Sequence, residues 1–336
     1  MIRRLLQGGV LIVFLSVAVF ILLRIAPGAD PAVIKCGLGC NEARLEAFRE
    51  DLGVNDPFFP ISFESSATVV SFNGTSQYWS WVQELFSGSL GLDWNQEPVG
   101  RELKNRLPAT VELLIITIIV TVALGVPFGI ISAVYRNSMT DYGVRFGAIL
   151  GLAIPNFWLA TLVILIPLQL WGYAPPLIRT ISFLDNPWDN LRQFVPPALV
   201  LGAVSAAGVM RLTRSSMLEV MRQDFIRTAR SKGLKERIVI GRHALKNSLI
   251  PVVTVLGLQI AGLLGGAVIV ETVFNIQGVG FYFLGALVRK DFQVVQTLTV
   301  YIGAIVITLN LMVDVLYAWL DPRIRYSYRW KQRQRR

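Results

Sequence analysis

TVELLIITIIVTVALGVPFGIISAVY, residues Thr110–Tyr135, holds a single charged side chain, Glu112, near its start. A hydrocarbon core about 30 Å thick is crossed by roughly 20 mainly apolar residues in helical form. The stretch therefore reads as a membrane span, and the pattern recurs along the chain. Gly8–Ile25, Phe146–Trp171, Val195–Arg211, Leu249–Phe274 and Gln296–Leu320 are runs of the same kind, so the expected fold is an all-α membrane protein with six transmembrane helices. Composition agrees. Of 336 residues, 53% are hydrophobic and 16% charged, whereas soluble domains carry about a quarter charged residues. Pro127, Pro155 and Pro167 fall inside apolar runs. In a soluble helix each would cost about 3 kcal/mol, but neighbouring helices and hydroxyl side chains make such breaks tolerable in a membrane.

Four regions follow. Residues 1–26 form an N-terminal span. Its run is long, and Ile25-Ala26-Pro27-Gly28 is a poor cleavage site, so it reads as a retained helix and not a signal peptide. Residues 27–108 form an outer loop region, 109–320 a five-helix core containing a polar loop at 213–248, and 321–336 a basic tail. In the outer region, Asn41–Leu52 reads as a polar helix with Asn41 as N-cap and Gly53 as its stop. Ser76–Phe86 reads as an amphipathic helix suited to a membrane surface.

The formal net charge is +10, but the Lys and Arg residues flank the apolar runs, where they orient a membrane protein. That placement excludes a nucleic-acid face and leaves membrane lipid as the natural contact. The loop 213–248 and the tail after Asp321 carry most of the positive charge. Both are expected in the cytoplasm, with both termini inside. The chain has one His and no Gly-Lys dipeptide or Gly-x-Ser-x-Gly element, which rules out a phosphate-binding Walker loop, a His-Glu-x-x-His zinc site and a nucleophile elbow. No metal site or catalytic residue is expected. Cys36 and Cys40, four apart in the outer loop, fit either a local disulfide or two free thiols.

In the polar loop, Ser215–Ser231 reads as one helix with Met217, Leu218, Met221 and Phe225 at helical spacing, and Gly233 is placed as its left-handed C-cap. A second short helix is expected from about Lys235. Such a pair could be a docking knob for a partner protein or a basic loop on anionic lipid headgroups; residue chemistry alone leaves both open. Glu271, near the end of the fifth span, is a candidate pathway or gate residue, or else a carboxylate at the interface. Asn310 and Asp314 share one face of the last span and suit a hydrogen bond to another helix. His243 suits a structural or interface role, the alternative being a proton carrier. Gly143/Gly147/Gly151, Gly125/Gly129 and Gly262/Gly266 have the spacing of close helix contacts.

The loop sequence Asp224-Phe-Ile-Arg227-Thr228-Ala229-Arg-Ser-Lys232-Gly233-Leu234, followed by His243-Ala-Leu-Lys246-Asn247, resembles the coupling segment of ABC-importer permeases of the dipeptide and oligopeptide type. Arg227 and Lys246 depart from the general acidic and proline positions of that motif and agree with the peptide-type version. Arg106-Leu-Pro-Ala-Thr110-Val-Glu-Leu113, Glu271-Thr-Val-Phe274 with Gly278-Val-Gly280, and Asp321-Pro-Arg-Ile-Arg325 extend the resemblance over nearly the whole chain. Ser62–Tyr78 and the cysteine pair lie outside it. The resemblance implies a type I importer permease in a bacterial inner membrane, paired with a second homologous permease. It also implies two ATP-binding cassette ATPase subunits, which would bind the ATP and Mg, and an extracytoplasmic substrate-binding protein. Asp224, Arg227, Thr228, Ala229, Lys232, Gly233 and Leu234 would then couple to the ATPase. The competing expectation is a gradient-driven carrier or channel acting alone, for which internal repeats with broken helices are expected and are not visible.

Overall fold

The computed structural model describes residues 2–25, 30–37, 40–51, 54–59, 61–63, 70–72, 76–177 and 180–320. Leu52, Gly53 and the tail 321–336 lie outside the described residues, as does the side chain of Asp314. The chain divides into two compact units, residues 1–108 with 282–307, and residues 109–281 with 308–336.

In chain order the helices are α1 (Ile2–Ile25), α2 (Pro31–Cys36), α3 (Glu42–Asp51), α4 (Gln77–Ser87), α5 (Val99–Val134), α6 (Met139–Ala153) and α7 (Asn156–Trp171). They continue with α8 (Pro187–Val220), α9 (Asp224–Ser231), α10 (Glu236–Ile238), α11 (Leu245–Val273), α12 (Val279–Arg289) and α13 (Phe292–Leu320). A π-helical turn, Val239–Ala244, joins α10 to α11. Strands β1 (Ile61–Phe63) and β2 (Val70–Phe72) form a small antiparallel pair, and Leu92 and Pro98 make an isolated antiparallel bridge, in an otherwise helical set of described elements. Five helices are long and apolar enough to cross a membrane, and α6 with α7 makes a sixth span if that bent pair is one crossing.

The bend between α6 and α7 is 104°. Pro155 causes it: Pro155 has no N–H to donate, and its ring pushes Ile154 into the extended region (φ −87°, ψ 124°). The continuous run expected at Phe146–Trp171 is therefore two helices. The other spans are longer than their apolar runs. α8 begins at Pro187 behind an Asn186 N-cap, whose side chain accepts from the Asp189 N–H, and it extends past Arg211 to Val220.

The first unit is built on aromatic packing. Phe20 of α1, Trp81 of α4 and Val300 of α13 form its buried centre. The Trp81 indole N–H donates to Thr297 Oγ1 (3.1 Å), and the Tyr78 hydroxyl pairs with Ser16 (2.9 Å). α4, capped by Ser76 and ended by Gly88 in the left-handed region, thus packs Tyr78, Trp81, Val82 and Leu85 inside the unit and leaves Phe86 exposed. Arg24 donates to Gln77 and Gln296 and lies over the Phe20 ring at 3.5 Å. α3 is capped by Asn41 as expected (Arg44 N to Oδ1, 2.9 Å). Cys36 and Cys40 lie side by side, their Cα atoms 5.6 Å apart, a spacing that a disulfide can bridge.

In the second unit, α8 packs against α6, α7 and α11. Leu113, Phe194, Leu201, Val270, Phe274 and Ile276 belong to its buried core. Lipid is as apolar as leucine, so close van der Waals fit must do much of the holding between membrane helices. α5 and α8 achieve that fit through Gly125 and Gly129. A Cβ on Gly125 would lie 2.8 Å from Val209, and one on Gly129 2.6 Å from Thr213. Of the three glycine repeats, only this pair is a tight packing seam; Gly143, Gly147 and Gly262 face open space.

Candidate functional site

The polar segment between α8 and α11 is not one helix followed by another. α8 ends at Val220, Met221–Gln223 make a tight turn (Gln223 N to Val220 O, 3.0 Å), and α9 restarts at Asp224. The break shifts the helical phase. Met217 is fully buried, but Phe225, expected on the same face, is exposed, and Ile226 and Ala229 turn inward instead. These two pack with Ala133, Met217, Val220, Val239 and Ala244 in a small core of their own. Asp224, Arg227, Thr228, Lys232, Gly233 and Leu234 are exposed, while Ala229 is buried. The sequence-predicted set therefore splits into an outward polar face and one inward anchor.

Gly233 has φ +75°, and its N–H bonds to Arg230 O at 2.9 Å. A Cβ there would meet nothing within 4 Å. The requirement is conformational and not spatial: only glycine adopts this backbone region without cost. The turn it makes lets Arg230 reach Glu236 in a bidentate pair (2.7 and 3.2 Å), tying α9 to α10. That hydrogen bonding holds the Arg230 guanidinium pKa further above its usual value. The π-helical turn that carries His243 then leads into α11.

A second anchor was not foreseen from sequence. Asp141, at the start of α6, is fully buried and accepts two hydrogen bonds from Arg214 of α8 (3.0 and 2.8 Å). Ser132 Oγ and the Asn137 N–H complete its shell. The signal available was the coincidence of a lone acid in a basic turn with an arginine two turns before the end of α8.

Glu271 lies fully buried near the end of α11. Thr110 Oγ1 donates to its Oε1 (2.7 Å), the Phe281 N–H donates to its Oε2 (3.0 Å), and the Val279 N–H donates to Thr110 (2.8 Å). The carboxylate caps the first turn of α12 from a distance, where the helix dipole favours negative charge. A Cβ on Gly278 would sit 2.5 Å from the carboxylate, so glycine is what lets the chain pass. These contacts tie Glu271 to the α11–α12 turn. Among the described residues no cluster of His, Cys, Asp and Glu could hold a metal ion.

Residues 125–326 match the family model of the binding-protein-dependent transport system inner membrane component, and residues 1–114 match its N-terminal companion model. The oligopeptide transport system permease protein AppB of Bacillus subtilis is 35% identical over 328 residues, covering 97% of this chain and 98% of the relative. The dipeptide transport system permease protein DppB of Alkalihalophilus pseudofirmus is 35% identical over 344 residues, covering 96% of this chain and 98% of the relative. Among solved structures, an inward-facing MetNI methionine ABC transporter aligns with a TM-score of 0.55 at 16% identity, over 67% of this chain and 99% of that one. That likeness concerns the fold.

Proposed function

The chain belongs to the binding-protein-dependent transport system inner membrane components, multi-pass proteins of the bacterial inner membrane, and from that premise we propose that it is a translocation subunit of an ATP-driven importer of di- or oligopeptides. The cargo reading rests on the peptide permeases that it resembles along their whole length. In this reading both termini and the 213–248 segment are cytoplasmic. A second permease completes the pathway, an extracytoplasmic binding protein delivers the peptide, and ATP with Mg is bound by two ATPase subunits. This chain itself catalyses nothing.

The observation that carries the coupling step is α9. It is eight residues long, anchored by Ile226 and Ala229, and presents Phe225, Arg227, Thr228 and Lys232 outward. A short helix fixed on one side and open on the other can be pushed as a unit. Closure of the ATPase dimer would move α9, and the Arg230–Glu236 pair and the buried core beneath it would pass that movement to α8 and α11.

The test is gentle affinity purification of the chain from its native membrane, followed by reconstitution of what co-purifies into vesicles. The expected result is a second permease and ATPase subunits in the eluate, and ATP-dependent uptake of alanine peptides two to five residues long when binding protein is supplied. Recovery of the chain alone, with uptake driven by an ion gradient, would sink the reading in favour of a stand-alone carrier.

A further inference from the structure

A cavity of about 390 Å³ opens in the second unit between α6, α7, α8 and α11. Four polar side chains line it: Asn156, Ser205, Arg211 and Gln259. None of the four makes a side-chain hydrogen bond or ion pair to another described residue, and the Gln259 Oε1 atom is buried without any partner. A buried acceptor left unpaired costs about 1–3 kcal/mol. Arg211 is exposed at the end of the fourth span, where an arginine that pairs with no other group faces an aqueous pathway or reaches for the interface. Three turns separate Arg211 from the start of the tight turn that leads to α9, so the guanidinium sits on the same helix that the coupling segment would move. Arg214, one turn further on, spends its charge on Asp141; Arg211 does not.

The backbone lining the cavity keeps it open. A Cβ on Gly208 would lie 3.1 Å from Gln259 Nε2 and press on the amide, while one on Gly262 would project into free space. Leu152, Leu201, Val204 and Leu263 supply the apolar wall. The volume lies within the range of ordinary small-ligand sites, about 300–1,000 Å³.

We propose that this cavity is a transient binding site for the cargo peptide, in which Arg211 takes the C-terminal carboxylate and Gln259 accepts a backbone N–H. Guanidinium matches carboxylate bidentately, and the orphaned Gln259 acceptor has use for an amide N–H. Asn156 and Ser205 can donate to the peptide's carbonyl oxygens. The lining contains no Asp or Glu, so the site reads the carboxylate end of a peptide and has nothing for its ammonium end. The apolar wall makes few demands on side chains, which suits a pathway whose selectivity is set mainly elsewhere. This inference rests on the peptide-importer reading above.

The experiment uses the whole transporter in phosphatidylcholine vesicles, with Val204→Cys as a reporter and every other cysteine of the complex, Cys36 and Cys40 included, replaced by serine. The probe is whichever alanine peptide the intact complex imports, presented from the ATPase side as free acid and as C-terminal amide. Maleimide labelling of the reporter is expected to be slowed by the acid at concentrations about tenfold lower than by the amide. Arg211→Ala should bring the acid to the level of the amide, and Arg211→Lys should restore part of the difference. Equal protection by acid and amide, or an unchanged Arg211→Ala variant that still imports peptide, overturns the site while leaving the importer reading intact. Protection that needs added phosphatidylglycerol and no peptide would assign Arg211 to a lipid headgroup. Loss of the second permease from purified Arg211→Ala would assign it to the subunit interface. Either result overturns the proposal. If the intact complex imports no peptide at all, the importer reading falls first and the site falls with it.

Discussion

The turn after α11 and the helix α9 both hold charged groups, yet they use them in opposite ways. At the turn, the Glu271 carboxylate is buried and engages a hydroxyl and a backbone N–H on two other elements. On α9, Asp224, Arg227 and Lys232 face outward, and the one ion pair within the helix, Asp224 with Arg227, is stretched to 3.5 Å between exposed side chains. Saturated, buried charge holds the chain to itself. Exposed, loosely paired charge on a helix whose other face is anchored is available to something else. The same contrast separates Arg214, locked to Asp141, from Arg211 in the cavity one turn away.

The largest effects should come from breaking the saturated side. Asp141→Ala leaves Arg214 without its partner, and removing one member of a buried pair costs about 3–5 kcal/mol. Thermal unfolding of the detergent-solubilised complex should show a clear loss of stability, with less protein in the membrane. Wild-type stability in this variant would mean that the pair is not a structural anchor. Next in size is Glu271→Ala. It strands the Phe281 N–H and the Thr110 hydroxyl, each worth about 1–3 kcal/mol when left unpaired. If Glu271 instead served transport directly, the variant would be stable and inactive, so stability and uptake measured together decide between the two roles.

Gly233→Val inverts the outcome. A β-branched residue at φ +75° costs about 1–2 kcal/mol in backbone strain, too little to prevent insertion but enough to move the turn that aims α9. Uptake should fall to background while membrane levels stay near wild type. Gly233→Ala should fall between them. Normal transport by Gly233→Val would break the comparison, because it would mean that the geometry of α9 does not matter.

The spans were legible because long apolar runs in a chain this poor in charge have few stable places outside a lipid bilayer. So was Gly233, because a glycine after the last helical residue has one common use. What could not be read was the phase break at Met221–Gln223. Every residue of Ser215–Ser231 tolerates a helix, and the turn is imposed by Ile226 and Ala229 finding a core made of α5, α8 and the segment before α11. The 104° bend was half legible: Pro155 marked it, but its angle depends on what α6 and α7 pack against. The roles of Glu271 and Asp141 depend on partners distant in sequence, 161 residues to Thr110 and 73 to Arg214. Local pattern carries no information at that range. The unpaired state of Arg211 and Gln259 was invisible for the same reason.

The smallest expected effect lies at the Arg230–Glu236 pair, whose side chains are 41% and 52% exposed. Exposed pairs contribute about 0.2–1 kcal/mol and are screened by salt. Arg230→Glu should therefore leave unfolding of the complex almost unchanged. Its effect on transport has a different origin. The pair links α9 to α10 across the Gly233 turn, so breaking it loosens the aim of the helix without removing any face that a partner would touch. A modest fall in uptake, about two- to threefold, is the expected outcome, and the swapped variant carrying both Arg230→Glu and Glu236→Arg should recover it. If the swap restores nothing while both single variants lose transport, the two residues act separately, each through a contact outside this chain. The outward face of the coupling segment would then extend past α9 to the start of α10.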